Sequence, residues 1–348
     1  MLGSGFGGLE KLFLDEIEML SELGACGVVR RNSALAHYAR ERNVAFEQIR
    51  VFSDWDPFSL AAARAVADRR RPRLVLCVGR KAHRLFGRVL GNSVPIVVMV
   101  QKRRFDVNFP YAGVLVAAEH RRETLIQDGV RPDDIAAVPN AVRLPPDAKS
   151  EFALRRGEPA HIGALGRLHP KKGFGMLVEA LRLLAERGVL FRCTIAGEGP
   201  ERGRLVAQVR EYGLADRVFL PGWTDDVPAF LSAVDVFVLP SFQEDYPLAV
   251  LDAMASGVPI IASAIEGPKD FLREGTTGLF VPPGNASALA DTLTELLASP
   301  ALRESLGHAA RLDAEQRYSF RAIGRSLTTA LENVMDGRSI TGSAAPPM

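Results

Sequence analysis

Eleven short apolar runs, each no longer than one strand, alternate with amphipathic stretches along the chain, and this alternation restricts the fold more than any other feature. Leu74–Val78, Ile96–Val100, Val114–Ala118, His161–Leu165, Phe191–Ala196, Val234–Leu239 and Val258–Ala262 are representative. A strand that is apolar on both faces must be covered on both faces, which is the condition of a parallel sheet flanked by helices. Strand and helix in regular turn give doubly wound α/β layers. The chain has 348 residues, too many for one core and enough for two of about 150 to 200 residues each. Periodicity lapses over 143–159, where Pro145, Pro146, Gly157 and Pro159 interrupt it. The spacing predicts two Rossmann-like domains, 1–145 and 146–336, facing across a cleft. The final helix is expected to pack back on the first domain, with 337–348 as a loose tail. In such folds ligands sit at the carboxyl ends of the strands.

Charge is divided unevenly. Residues 1–150 carry 23 Lys and Arg against 17 Asp and Glu, and the remainder 20 against 24. Within 64–104 twelve basic residues meet one acid, Asp68. Such a stretch is either a solvated face or a surface drawn to anionic lipid, where each basic residue contributes about 1 kcal/mol. It lacks a run of interleaved aromatics to stack on bases, which argues against nucleic acid as a partner. No apolar run approaches the roughly 20 residues of a membrane span. The opening MLGSGFGGLEK lacks the pattern of a secretory signal. Three scattered cysteines, Cys26, Cys77 and Cys193, suit neither a disulfide framework nor a zinc cluster. The expected location is the cytoplasm, with peripheral attachment to the inner face of the cytoplasmic membrane.

Candidate chemistry concentrates in PSFQEDYPLAVLDAMASGVPIIAS, residues 240–263. A strand ends at Pro240, a polar loop carrying Glu244 follows, and Pro247 suits the first position of a helix over 247–256. That helix is almost wholly apolar. Its one charge, Asp252, shares a face with Leu248 and is costly there unless something binds it. The N–H groups around Tyr246–Ala249 make the helix start an anion site. The plainer alternative has Asp252 solvated and Glu244 complementing the helix dipole. In ALGRLHPKKGFGMLVEAL, 164–181, Arg167 follows a strand and Lys172 precedes the next helix. Two such cations can neutralise a diphosphate, although Lys171–Lys172 also fits an ordinary basic loop. IAGEGPE, 195–201, places Gly197 and Glu198 at another strand-to-helix turn.

Together these segments resemble the family-4 glycosyltransferases of the GT-B fold over nearly the whole chain. GRLHPKKG resembles the Arg…Lys diphosphate motif of that family, and 240–263 its Glu-x7-Glu signature. IEGPKDFLREGTTGLFVPPGN resembles the strand and loop that follow, and GFGGLEK the glycine-rich loop. VLVAAEHRRETLIQDGVRPDDIAAVPNAV resembles the elements that close the first domain. The resemblance implies that Arg167 and Lys172 hold the donor diphosphate and that Glu244 sits at the donor sugar. It also implies that the Tyr246–Pro247–Leu248 backbone assists, that Gly197 and Glu198 belong to the donor loop, and that Asp252 bonds the nucleotide ribose. Gly7 and Gly8 let the backbone approach the leaving group. Three departures stand out. Asp252 replaces the usual Glu. Gln101 stands where the family often has a histidine near sugar and acceptor, and an amide cannot act as a base. The chain also opens inside the glycine loop, so either its start is misplaced or the first domain is expected to lack its first strand.

The implied reaction moves a sugar from a nucleotide-diphosphate sugar to a glycan or lipid-linked acceptor, with retention at the anomeric carbon. Lipopolysaccharide or another cell-envelope glycan is the expected product, and neither cofactor nor metal is required. Asp54-Trp55-Asp56 matches an Asp-x-Asp metal pattern but reads as a loop and cap ahead of a helix opening at Pro57. Two rival classes remain: a non-catalytic sugar-nucleotide binder, and a nicotinamide-dependent oxidoreductase. The second rests on Gly3, Gly5 and Gly8 with Glu22, but lacks the preceding strand and a catalytic His or Tyr.

Overall fold

Ile96–Val100 is buried at all five positions and pairs in parallel on both sides, as a strand apolar on both faces must. The computed structural model describes residues 8–100, 105–146 and 158–342. The chain divides into Met1–Ala141 with Phe320–Met348, and Val142–Ser319.

The first unit runs α1 (Gly8–Met19), β1 (Gly27–Arg30), α2 (Ala34–Glu41), β2 (Phe46–Ile49), α3 (Pro57–Arg70), β3 (Val75–Val78), α4 (Arg80–Leu90), β4 (Ile96–Val100), β5 (Gly113–Val116), α5 (Glu119–Gln127) and β6 (Ile135–Ala137). Its strands form two parallel sheets, β1-β2 and β3-β4-β5-β6. Val29 of β1, Val78 of β3 and Val97 of β4 share one core with Phe13, Leu14 and Ile17 of α1. Among the described residues no strand joins the two sheets into one. Strand β2 escapes the search for apolar runs. Its sequence is FEQI and only Ile49 is buried, the signature of a half-covered edge.

The second unit follows as β7 (Ala160–Leu165), α6 (Phe174–Glu186), β8 (Phe191–Ala196), α7 (Arg202–Glu211), β9 (Val218–Gly222), α8 (Val227–Ser232), β10 (Val236–Leu239), α9 (Leu248–Ala255), β11 (Ile260–Ser263), α10 (Glu266–Lys269), β12 (Leu279–Val281), α11 (Ala286–Ala298) and α12 (Pro300–Asp313). The sheet order is β12-β11-β10-β7-β8-β9, parallel throughout. Along β10, Val236 and Val238 enter one core while Phe237 and Leu239 enter another, so side chains of alternate parity bury on opposite faces. From β7 the chain winds outward through β8 and β9. It then returns to β10 and winds the other way. The strand order therefore reverses between β7 and β10, the position at which doubly wound sheets open a binding crevice.

The last helix, α13 (Phe320–Met335), packs back on the first unit as expected: its Ile323, Leu327, Leu331 and Val334 enter that unit's core beside α1. The expectation for the tail needs correcting. The tail is not loose up to residue 342. Ile340 is 1% exposed because it fills the notch over Gly113, where an added Cβ would lie 2.7 Å from Ile340 Cδ1. Ser339 Oγ donates to the Asp133 carbonyl at 2.6 Å. Among the described residues no helix is long and apolar enough to cross a membrane.

Candidate active site

At the reversal point of the second unit two loops leave the sheet side by side, 166–173 after β7 and 240–247 after β10. Gly173 caps α6 with φ 67°, and a Cβ there would lie 1.9 Å from the Pro240 carbonyl oxygen. Only glycine satisfies both the left-handed backbone and the close approach. The loops are joined by hydrogen bonds from Phe242 N at 2.8 Å and Gln243 N at 3.4 Å to the Lys171 carbonyl. Lys172 Nζ thereby reaches Glu244 Oε1 at 2.5 Å, across a separation of 72 residues. Ser241, fully buried, donates its hydroxyl to the same oxygen at 2.8 Å. The Glu244 side chain is 9% exposed and that of Lys172 28%, so the pair is anchored but remains open to solvent on the lysine side.

The end of β7 also runs against the turn after β8. Gly166 N donates to Ala196 O at 3.0 Å and Leu168 N to Glu198 O at 2.9 Å. Gly197, with φ 147°, sits where a Cβ would meet Gly166 O at 1.9 Å. Glu198 projects across the start of the next loop, its Oε1 2.8 Å from where a Gly222 Cβ would stand. Arg167, exposed, lies between these two contacts. Arg167, Lys172, Gly197, Glu198 and Glu244 therefore line the carboxyl ends of β7, β8 and β10.

Pro247 is the N-cap of α9 rather than its first helical residue, and the helix ends at Ala255. The cap supplies no side-chain acceptor, so the N–H groups of Leu248 and Ala249 lack an intrahelical partner, while Val250 N donates to Pro247 O at 3.0 Å. Tyr246 rests against Phe271 with ring centroids 5.2 Å apart, which fixes the loop ahead of the helix. Asp252 is partly exposed, one turn beyond Leu248. His169 caps the short turn 170–172 by accepting the Lys171 N–H at 3.2 Å. An ammonium, a guanidinium and a helix amino end at one sheet edge suit a polyanion, and the held carboxylate suits a group that gains positive charge.

Gly7 and Gln101 lie outside the described residues, and Gly8 opens α1 of the first unit. The Asp-x-Asp match behaves as a loop and cap. Asp56 accepts from Phe58 N and Ser59 N, and hydrogen bonds from Ser59 and neighbouring backbone draw its carboxyl down to about 2. Asp54 pairs with Arg84 and Arg88. Among the described residues no cluster of three or more His, Cys, Asp or Glu is arranged for a metal. Sequence reasoning missed Ser241 and the glycine at 267, where a Cβ would come within 2.7 Å of the Glu244 carbonyl. The serine is visible three residues before Glu244, but no local pattern says that its hydroxyl turns back to the carboxylate.

Residues 147–313 match the family model of glycosyl transferases group 1. The chain is 33% identical over 188 residues to 2-deoxystreptamine glucosyltransferase of Streptomyces kanamyceticus, covering 53% of this chain and 48% of that protein. It is 35% identical over 162 residues to the lipopolysaccharide core biosynthesis glycosyltransferase LpsE of Rhizobium meliloti, covering 47% and 46%. The chain thus spans about half the length of the curated relatives it matches. In structure it is similar to Anabaena HepE in complex with UDP-glucose, with a TM-score of 0.81 at 20% identity over 96% of this chain and 98% of that one. The chain therefore has the GT-B fold of two Rossmann-like units, and its Lys172–Glu244 pair lies within the segment that matches the glycosyl transferases group 1 model.

Proposed function

We propose that the protein is a glycosyltransferase that moves a sugar from a nucleotide-diphosphate sugar to a glycan or lipid-linked acceptor, with retention at the anomeric carbon. Its product is a lipopolysaccharide or other cell-envelope glycan, made at the inner face of the cytoplasmic membrane. The observation that carries this reading is the Lys172–Glu244 pair, set at the strand-order reversal within residues 147–313.

Negative charge grows on the departing diphosphate as the sugar leaves. Arg167, Lys172 and the amino end of α9 bind that charge more tightly in the transition state than in the ground state, which is the condition for raising the rate. Glu244, held by Ser241 and Lys172, stabilises the positive charge that develops on the sugar. Asp252 takes the nucleotide ribose, and Gly197 and Glu198 border the donor. The bond from the anomeric carbon to the diphosphate breaks as the bond to the acceptor oxygen forms, and the proton of the acceptor hydroxyl passes to the departing diphosphate; Gln101, an amide, takes none. The cationic set replaces a metal, and the donor itself is a co-substrate rather than a cofactor.

A screen of nucleotide sugars by thermal stabilisation and by slow hydrolysis tests this. One donor should raise Tm and release its nucleotide diphosphate. Arg167→Ala or Lys172→Ala should weaken that donor by about 10-fold to 150-fold, the loss of a charge-assisted contact. Absence of any donor effect would overturn the assignment. Donor binding with no turnover would instead make the protein a non-catalytic sugar-nucleotide binder.

A further inference from the structure

We propose that the loop Phe52–Phe58 and the basic face of α4 form one docking element for an anionic lipid bilayer. This deepens the membrane part of the function proposed above, rests on it only for where the acceptor lies, and is tested without donor or acceptor.

Three large aromatic side chains fall within seven residues of the first unit and stand in water: Phe52 is 68% exposed, Trp55 69% and Phe58 77%. One such residue is ordinary, whereas several together mark a surface with a partner. Most backbone donors of the loop that carries them are taken within the loop. Phe52 N donates to Ser59 Oγ at 3.0 Å, Ser53 N to Asp56 Oδ2 at 3.0 Å, and Trp55 N and Asp56 N to Ser53 Oγ at 3.3 and 3.1 Å. Phe58 N and Ser59 N donate to Asp56 Oδ1 at 3.1 and 3.0 Å, and Pro57 has no N–H. A loop that uses most of its own backbone donors can seat its rings at the headgroup boundary, with the ionised Asp56 carboxylate remaining on the water side. The same pairing leaves it few donors for sugar hydroxyls. The cations of α4 beside the rings match an anionic lipid surface rather than a neutral sugar, so a lipid surface is the occupant that fits.

Beside this loop lies α4. Its inner face buries Leu85, Phe86, Val89 and Leu90, its outer face bears Arg80, Lys81, Arg84 and Arg88, and the helix contains no acid. Asp54 fastens the two pieces together. Arg88 Nη1 donates to its carbonyl at 3.0 Å and its carboxylate at 3.1 Å, and Arg84 Nε stands 3.1 Å from the same carboxylate. Both guanidiniums lie on the Phe109 ring, at 5.3 and 4.8 Å. Their charge is shared with Asp54 and, for Arg84, with Asp106 at 3.7 Å, whereas Arg80 and Lys81 stand exposed at the helix start. Aromatic rings entering at the headgroup boundary, with cations level with the headgroups, make up the arrangement by which interfacial segments hold anionic membranes.

The chain has two tryptophans, so Trp223→Phe leaves Trp55 as a reporter in an intact loop. With phosphatidylglycerol vesicles its emission should shift to the blue and be quenched by brominated acyl chains. Arg80→Gln and Lys81→Gln should each weaken binding about fivefold, and binding should fall steeply with salt. Phe52→Ser with Phe58→Ser should keep Tm and cost about tenfold or more per ring. Unchanged Trp55 emission on these vesicles would overturn the proposal, as would equal affinity for phosphatidylcholine. A shift of Trp55 with soluble maltoheptaose and not with vesicles would also overturn it, in favour of a sugar-stacking platform. Loss of vesicle binding leaves donor hydrolysis untouched, so failure here is distinct from failure of the transferase assignment.

Discussion

Glu244 receives an ammonium and a hydroxyl on one oxygen, and Ser241, which supplies the hydroxyl, is fully buried behind it. Ser241 is therefore a positioning residue. Ser241→Ala should lower kcat about tenfold, the worth of one hydrogen bond to a charged group, with little change in donor KM. Asp252→Asn should do the reverse, raising donor KM with a smaller effect on kcat, since the ribose lies away from the reacting centre. Steady-state kinetics that show the same split for both variants would contradict these roles. The sequence places Arg167, Lys172 and Glu244 beside strand-to-helix turns marked by glycine and proline, and the structure brings Lys172 and Glu244 together. Ser241 was not legible there, because serine three residues before a glutamate is common and its direction is set by the fold around Pro240.

At the scale of elements, the final helix shows how a segment last in sequence can complete the first unit. Leu327 of α13 is 1% exposed and packs among residues that include Phe13, Leu14 and Ile17 of α1. Leu327→Ala should destabilise the first unit by about 2–5 kcal/mol, the transfer and cavity terms of a buried leucine. Arg325→Ala, on the exposed face of the same helix, should stay within about 0.5 kcal/mol. Denaturant titration of both variants checks the contrast. Gly173 makes a second case, where one glycine allows two loops to touch. Gly173→Ala must place a Cβ against the Pro240 carbonyl and adopt a left-handed backbone, which alone costs roughly 1–2 kcal/mol. A markedly lower Tm is expected, together with loss of donor binding. The amphipathic period of α13 and its return to the first domain were expected from the sequence; its partner helix α1 was not, since any apolar face of matching size could have received it.

For the molecule as a whole, one buried group ties stability to pH. Glu16 is 6% exposed among the apolar residues of α1, and burial, reinforced by the neighbouring Asp15 carboxylate, pushes its carboxyl up to about 8. Its folded-state value exceeds the ordinary 4.5, so the stabilisation is fully present below that ordinary value and is lost as pH rises through about 8. Glu16→Gln should flatten the decline between those limits and raise stability at pH 8 and above by up to a few kcal/mol, because a group that stays protonated only in the folded state loses about 1.36 kcal/mol for each pH unit climbed. Equal pH slopes for the two proteins, by denaturant unfolding, would refute it. The basic excess of 64–104 is likewise a property that only the whole fold defines: Arg69 and Arg70 pair with Glu47, and Arg84 and Arg88 with Asp54, both acids outside that stretch. The sequence by itself determined the parallel α/β layering, because strands apolar on both faces admit no other covering. It also placed the candidate chemistry at strand-to-helix turns, since glycine and proline mark those turns locally. Only the tertiary structure decided that β10 lies beside β7, that Lys172 therefore meets Glu244, and that α13 meets α1 in one core. Such choices depend on shape matching between segments far apart in the chain, and a local pattern records how much surface must be buried but not against what.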